Sequence, residues 1–213
     1  MRSTWTKGEG GMQMSTLNIP VAQTANVPRG NHLLPGVLWF ILADIVVFFM
    51  IFADFMMQRE KQTDLFDQSA AVMNLQLGVL NTLILITSGL FVVFAVNAAK
   101  AGRQKATRRW LLLSMIVGFG FALTKWVEWS DKLGQGITMY TNDYYMYYYT
   151  LTGAHFLHFV GGMITLAILW FMLGRESVDG RMRDLVESGA MYWHMVDLLW
   201  IFLFPMLYLM GAR

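Results

Sequence analysis

Five apolar segments, at roughly 33–57, 70–98, 108–129, 143–173 and 189–211, alternate with shorter polar stretches along the 213 residues. Each exceeds the about 20 residues that a helix rising 1.5 Å per residue needs to cross a hydrocarbon core of about 30 Å. In oil every backbone amide must find its partner within the protein, which leaves helices or a closed barrel. A barrel would show ~10-residue segments of alternating polarity, and these segments do not alternate. The sequence therefore predicts an all-α integral membrane bundle of five transmembrane helices. The fourth segment is long enough to tilt or to project beyond the membrane.

Composition closes off the other classes. Hydrophobic residues make up 56% of the chain and charged residues 14%, against about a quarter charged in soluble domains. The chain is also too apolar to be disordered. It has no Cys, which excludes a disulfide framework, a four-cysteine zinc site, a CxxC redox pair, an iron–sulfur cluster and a CxxCH haem attachment. A net charge of +2, carried by scattered basic residues, does not suggest nucleic acid.

Residues 1–32 are polar and rich in Gly, Thr and Asn. They read as a mobile tail ahead of a single five-helix domain over 33–213. The first apolar segment is longer than a signal-peptide core and lacks a small-residue cleavage site, so no cleavage is expected. Pro35 falls near the start of the first helix, where its missing N–H is harmless. Pro205 falls inside the fifth span and is expected to kink it. No internal repeat or low-complexity tract is evident.

The basic residues set an expected orientation. Eleven Lys and Arg fall in the N-terminal tail, around 99–109 and in 174–188; only four (Arg59, Lys61, Lys132 and Arg213) fall on the other side. The positive-inside rule then places the N-terminus in the cytoplasm and the C-terminus outside. Trp129, Tyr140 and the run Tyr144, Tyr145, Tyr147, Tyr148, Tyr149 read as one interfacial aromatic belt, and Trp39, Trp110, Trp170 and Trp193 as the other. The basic stretch 100–109 reads as a topology signal and an anionic-lipid contact. The 17 Met read as apolar filler.

Ionisable residues inside the spans cost about 2.5–3.5 kcal/mol each at mid-bilayer and demand a reason. They are Asp44, Lys125, Glu128, His155, His158, His194 and Asp197, while Asp54 lies closer to a helix end. Lys125–Glu128, His155–His158 and His194–Asp197 are i,i+3 pairs, so each pair shares a helix face. If the fourth and fifth spans are antiparallel neighbours, His158 and Asp197 can meet. Gly153, Gly161 and Gly162 offer a small-residue surface for close helix contact. Four readings follow: a metal site, bis-histidine haem ligation through His155 and His194, a proton or ion path, and a polar network that locks the helices together. Only four His are present, one of them (His32) in the tail, which is few for a membrane di-iron site. Composition and spacing favour the network.

Two stretches carry a resemblance. Tyr192-Trp193-His194-Met195-Val196-Asp197-Leu198-Leu199-Trp200-Ile201-Phe202-Leu203-Phe204 resembles the last-helix signature of subunit III of haem-copper oxidases, Y-W-H-x-V-D-x-x-W-x-F-x-F. Thr152-Gly153-Ala154-His155-Phe156-Leu157-His158-Phe159-Val160-Gly161-Gly162 is similar to the family's T-G-x-H-x-x-H-V-x-x-G element. Glu128-Trp129 stands where the family has Glu followed by an aromatic residue, and Asp44 where it has Glu or Asp. The resemblance spans roughly 33–211 and matches the five-helix form that lacks two N-terminal helices of longer members. Phe156 departs from the small residue often found between the two His, and Asp44 is shorter than the more usual Glu. Asp131 to Tyr149 looks more like the branch associated with nitric oxide reductase.

The resemblance implies a non-catalytic subunit of a respiratory oxidase in a bacterial-type cytoplasmic membrane. Such a subunit holds no haem, copper or other cofactor of its own, since those sit in partner subunits I and II. It encloses phospholipids, stabilises the catalytic subunit and supports proton uptake by a complex that reduces dioxygen with electrons from cytochrome c or quinol. Asp44, Glu128, His155, His158, His194 and Asp197 would frame the lipid cleft, packed by Trp193 and Trp200. Two alternatives remain: an accessory protein of nitric oxide reductase, and an independent haem-binding or ion-conducting membrane protein.

Overall fold

The computed structural model describes residues 33–175 and 177–210; the expected tail at 1–32 lies outside them. The order is α1 (Leu33–Lys61), α2 (Thr63–Ala71), α3 (Leu75–Lys100), α4 (Gln104–Gly134), α5 (Asp143–Met172) and α6 (Gly180–Phe204), continued by a π-helical turn, Pro205–Leu209. Five of the helices are long and apolar enough to span a membrane. The expected spans differ at several ends: the first continues to Lys61 rather than stopping at 57, and the second, expected from 70, begins at Leu75. The third continues to Gly134, past the charged residues near its end, and the fifth begins at Gly180, nine residues early.

The helix ends follow from local chemistry. Asn74, Asn142 and Asp179 each accept a bond from the backbone N–H three residues on, at 3.1, 2.9 and 2.7 Å, capping α3, α5 and α6. Gly102 and Gly136 take φ of +67° and +77°, the left-handed conformation that a Cβ disfavours. In each case two backbone N–H groups fold back onto the last carbonyls: Gly102 and Arg103 onto Ala99 and Ala98, Gly136 and Ile137 onto Leu133 and Lys132. Pro205 has no N–H to continue the α6 ladder, and the chain widens there into the π turn.

Helix α6 is the centre of the bundle, touching α3, α5 and α1, while α4 closes the ring between α3 and α5. α1 leans on the outside. Its Phe48 and Phe55 are buried, but Trp39, Phe49 and Met57 are exposed, as suits a helix bathed in lipid.

α2 was not expected. Its nine residues lie across one end of the bundle, with Phe66 buried among Phe55, Tyr144 and Tyr147. Polar bonds fasten it there: Arg59 to Asp67 at 2.7 Å, Gln62 to Asp143 at 2.7 Å, Asn142 to Ser69 at 3.0 Å and Lys132 to the Val72 carbonyl at 2.9 Å. At the opposite end Gln104 donates to the Leu173 carbonyl at 2.6 Å and Lys100 faces Glu187 at 3.5 Å. Arg59 and Lys132 thus lie at one end of the bundle and Lys100 at the other.

The tyrosine belt needs correcting. Tyr144, Tyr145, Tyr147 and Tyr148 are buried, at 1, 5, 7 and 0% exposure, and form an internal plug. The hydroxyls of Tyr144, Tyr147 and Tyr148 donate to Leu207, Asp54 and Glu128, so they need no water–lipid boundary. Trp193, also expected at a boundary, has 0% exposure. Tyr140, at 89%, does lie at the surface.

Candidate functional site

The most unusual chemistry is a buried charge in α4. Lys125 and Glu128 stand one turn apart with side chains 1 and 2% exposed. Lys125 Nζ donates to Glu128 Oε2 at 2.9 Å and to the Tyr208 hydroxyl at 2.7 Å. Glu128 Oε1 accepts from Tyr148 at 2.9 Å and from Tyr208 at 2.5 Å. The ammonium also lies 4.9 Å from the centre of the Trp200 ring and 5.3 Å from those of Tyr148 and Tyr208. The centre is neutral overall, both carboxylate oxygens are bonded and the cation faces aromatic quadrupoles, which together offset the cost of burial.

Three elements meet there: α4, α5 through Tyr148, and the π turn through Tyr208. Tyr144 holds the turn in place by donating to the Leu207 carbonyl at 2.6 Å. Spacing revealed the Lys125–Glu128 pair, but Tyr148 and Tyr208 were not singled out as its partners. The only available signal was a run of tyrosines longer than an interfacial belt requires.

His155 sits alongside, with 0% exposure. Its ring lies edge-on to Phe121 at 5.5 Å and tilted to Trp200 at 5.2 Å. Neither ring nitrogen has a hydrogen-bond partner among the described residues. Trp193 is fully buried against Phe159, at 5.7 Å, and fits because Gly162 leaves room: a Cβ there would lie 2.7 Å from the indole. Gly161 lies close to the Tyr192 hydroxyl, but Gly153 faces open space, so the expected small-residue surface involves two of the three glycines. Trp200 donates from Nε1 to Thr82 at 3.0 Å.

Asp44 and His158 join α1 to α5. Asp44 Oδ2 lies 3.2 Å from His158 Nε2, with side chains 18 and 19% exposed. The contact is electrostatic and out of hydrogen-bonding line. His158 Nδ1 lies 2.8 Å from the Ala154 carbonyl, which only accepts, so Nδ1 carries a proton. The anticipated meeting of His158 with Asp197 is not found; Asp197 pairs with His194 on its own helix, at 3.6 Å. Asp197 is 9% exposed and lies against Gly89 of α3, whereas His194 is 42% exposed. His155 and His158, although i,i+3, occupy different surroundings.

The seam between α3 and α4 carries polar contacts that the sequence reading overlooked. Ser88 bonds the carbonyl and hydroxyl of Ser114, each at 2.9 Å, and Thr124 donates to Asn81 Oδ1. Such bonds tie helices together where water offers no competition.

Comparisons with known proteins agree on one family. The family described as cytochrome c oxidase subunit III matches residues 14–212. A probable cytochrome c oxidase subunit 3 of Mycobacterium tuberculosis is 27% identical over 180 residues, covering 84% of this chain and 89% of the relative. The cytochrome c oxidase subunit 3 of Bacillus sp. (strain PS3) is 24% identical over 200 residues, covering 93 and 96%. The quinol oxidase subunit 3 of Bacillus subtilis is 25% identical over 196 residues, covering 91 and 94%.

Proposed function

The chain belongs to the cytochrome c oxidase subunit III family, and from that premise we propose that it is the non-catalytic third subunit of a haem-copper oxidase, stabilising the catalytic subunit, organising phospholipid and supporting proton uptake. It is a multi-pass membrane protein with five apolar helices, and its relatives are named as subunits of cytochrome c or quinol oxidases. In this reading subunits I and II hold the haem and copper, and this chain holds none. The N-terminus lies in the cytoplasm, in line with the charge asymmetry, and the membrane is the bacterial cytoplasmic one.

The observation that carries the non-catalytic reading is the closure of the Lys125–Glu128–Tyr148–Tyr208 centre. Its donors and acceptors are used among themselves, and its groups serve to hold three elements together. Lipid organisation is supported by two apolar grooves flanking α1. One, of about 540 Å³, runs between Phe40, Thr165 and Tyr192, and the other, of about 430 Å³, between Phe48, Phe202 and Met206. Asp44 and His158 stand between α1 and α5 with partial exposure, a position suited to relaying protons toward a neighbouring subunit.

Purification in mild detergent tests the proposal. The chain is expected to co-purify with haem-bearing polypeptides that reduce dioxygen, and the oxidase lacking it is expected to lose activity faster during turnover. Stoichiometric haem or metal ligated by this chain itself would overturn the non-catalytic reading. Loss of nitric oxide reduction with intact oxygen respiration, on deletion, would reassign it to a nitric oxide reductase.

A further inference from the structure

The first two turns of α4 break the usual rule of helix electrostatics. A helix N-terminus is the positive end of the dipole and favours acidic residues. Here the first turn has no acidic residue, and Arg103, Lys105, Arg108 and Arg109 crowd the start. Lys105 and Arg109 are an i,i+4 pair of like charges, which repel. Arg108 is placed by its guanidinium 4.1 Å from the centre of the Trp170 ring. Arg103, Lys105 and Arg109 are exposed, and none has a carboxylate partner among the described residues.

Beneath these cations lie three adjoining grooves. The largest, about 650 Å³, is lined by Arg103, Lys105, Arg109, Trp110 and Leu113. A second, about 380 Å³, shares Arg103, Ala106 and Trp110 and extends to Phe94 on α3. A third, about 250 Å³, shares Lys105 and Arg109 and reaches Leu112 and Trp170. Each therefore has a cationic rim and an apolar floor where a spanning helix enters the membrane.

We propose that this end of α4 is a binding site for one anionic phospholipid. Resting on the lipid-organising role proposed above, it assigns that role a specific site and headgroup charge. The phosphate lies among Arg103, Lys105 and Arg109 and relieves their mutual repulsion. The acyl chains descend along Trp110, Leu113 and Phe94. Charge complementarity selects an anionic headgroup over a zwitterionic one, and the hydrophobic floor selects a lipid over free phosphate.

The test uses the assembled complex, extracted in mild detergent, stripped of loosely held lipid and supplied with phosphatidylglycerol or phosphatidylcholine; retained lipid is quantified by native mass spectrometry. Wild type is expected to retain phosphatidylglycerol and release phosphatidylcholine. R103Q/K105Q/R109Q is expected to weaken retention on the order of a hundredfold, from roughly 1 kcal/mol per basic residue. R175Q/R181Q/R183Q, which removes the same charge elsewhere, is expected to leave retention unchanged. An equal loss in that control would mean diffuse surface attraction and overturn the site.

Because the triple variant also alters a topology signal, Ala106→Phe provides a second arm. It fills the two larger grooves while keeping every cation and is expected to lose the lipid; full retention would overturn the proposal. Zero-length carbodiimide coupling of Lys105 to a carboxylate on a co-purifying polypeptide would assign the groove to a protein partner instead. If haem-bearing partners co-purify but wild type holds no anionic lipid, this site alone is refuted. If lipid is retained but no such partners appear, the oxidase assignment fails and the site stands.

Discussion

Removing either half of the Lys125–Glu128 pair should be costly, and removing both should not. Lys125→Met leaves Glu128 in a sealed site without its counter-charge, with only Tyr148 and Tyr208 donating to it. Glu128→Gln leaves an ammonium without its counter-charge and turns an amide N–H₂ toward it. Breaking a buried pair costs about 3–5 kcal/mol, whereas replacing both partners with neutral groups of similar volume is often near neutral. For a chain of this size each kcal/mol is worth about 2–4 °C, so each single variant should lower the midpoint by roughly 6–20 °C. K125M/E128Q should fall far short of the sum, since the Gln oxygen can still accept from the tyrosines. The assay is the temperature at which half the chain leaves the monodisperse detergent-solubilised complex, read by size-exclusion after stepwise heating. Single variants within about 1 °C of wild type, or a double variant equal to their sum, would refute the idea that the pair is a coupled structural centre.

Tyr208→Phe removes the hydroxyl that bridges Lys125 and Glu128 and should destabilise by about 1–3 kcal/mol, read by the same heating assay. Across the α1–α5 contact an asymmetry is expected: His158→Leu strands a carboxylate in the membrane and should cost about 2.5–3.5 kcal/mol, whereas Asp44→Leu leaves a neutral imidazole still bonded to Ala154 and should cost under about half as much. Protease accessibility of α1 would report both. Gly89→Ala drives a methyl group into Asp197 and should lower the midpoint by several degrees, consistent with about 1–3 kcal/mol of overpacking. Gly153→Ala, facing open space, should leave the midpoint equal or slightly raised. Asp197→Leu should reduce recovery of the intact complex more than it reduces turnover per remaining complex; equal recovery with abolished turnover would contradict a structural role.

The five spans were legible because hydropathy is a sum over many residues and tolerates local exceptions. It tolerated Lys125 and Glu128 so well that the third span was identified and then cut short before Gly134. α2 was missed because nine residues of mixed polarity carry no membrane signal, and only its docking of Phe66 against Phe55, Tyr144 and Tyr147 gives it a purpose. Within the site, i,i+3 spacing exposed the Lys125–Glu128 and His194–Asp197 pairs because both members share one helix. Asp44–His158 and Tyr208–Glu128 bridge residues distant in sequence, and periodicity cannot show which helices become neighbours. Tyr148 was misread because a tyrosine at a boundary and a tyrosine reaching inward have the same composition signature.

The position of α1 sets an order of events during synthesis. Of the described helices it leaves the ribosome before the others, yet its main neighbours in the bundle are α2, α5 and α6, the latter two made after α3 and α4. Until α5 arrives with His158, Asp44 must wait in the bilayer without its basic partner, carried by a helix whose mean hydropathy of 2.5 is the highest of the five. That surplus of greasy side chains offsets the cost of the lone carboxylate, and α1 gains its largest protein surface only once α6 is in place.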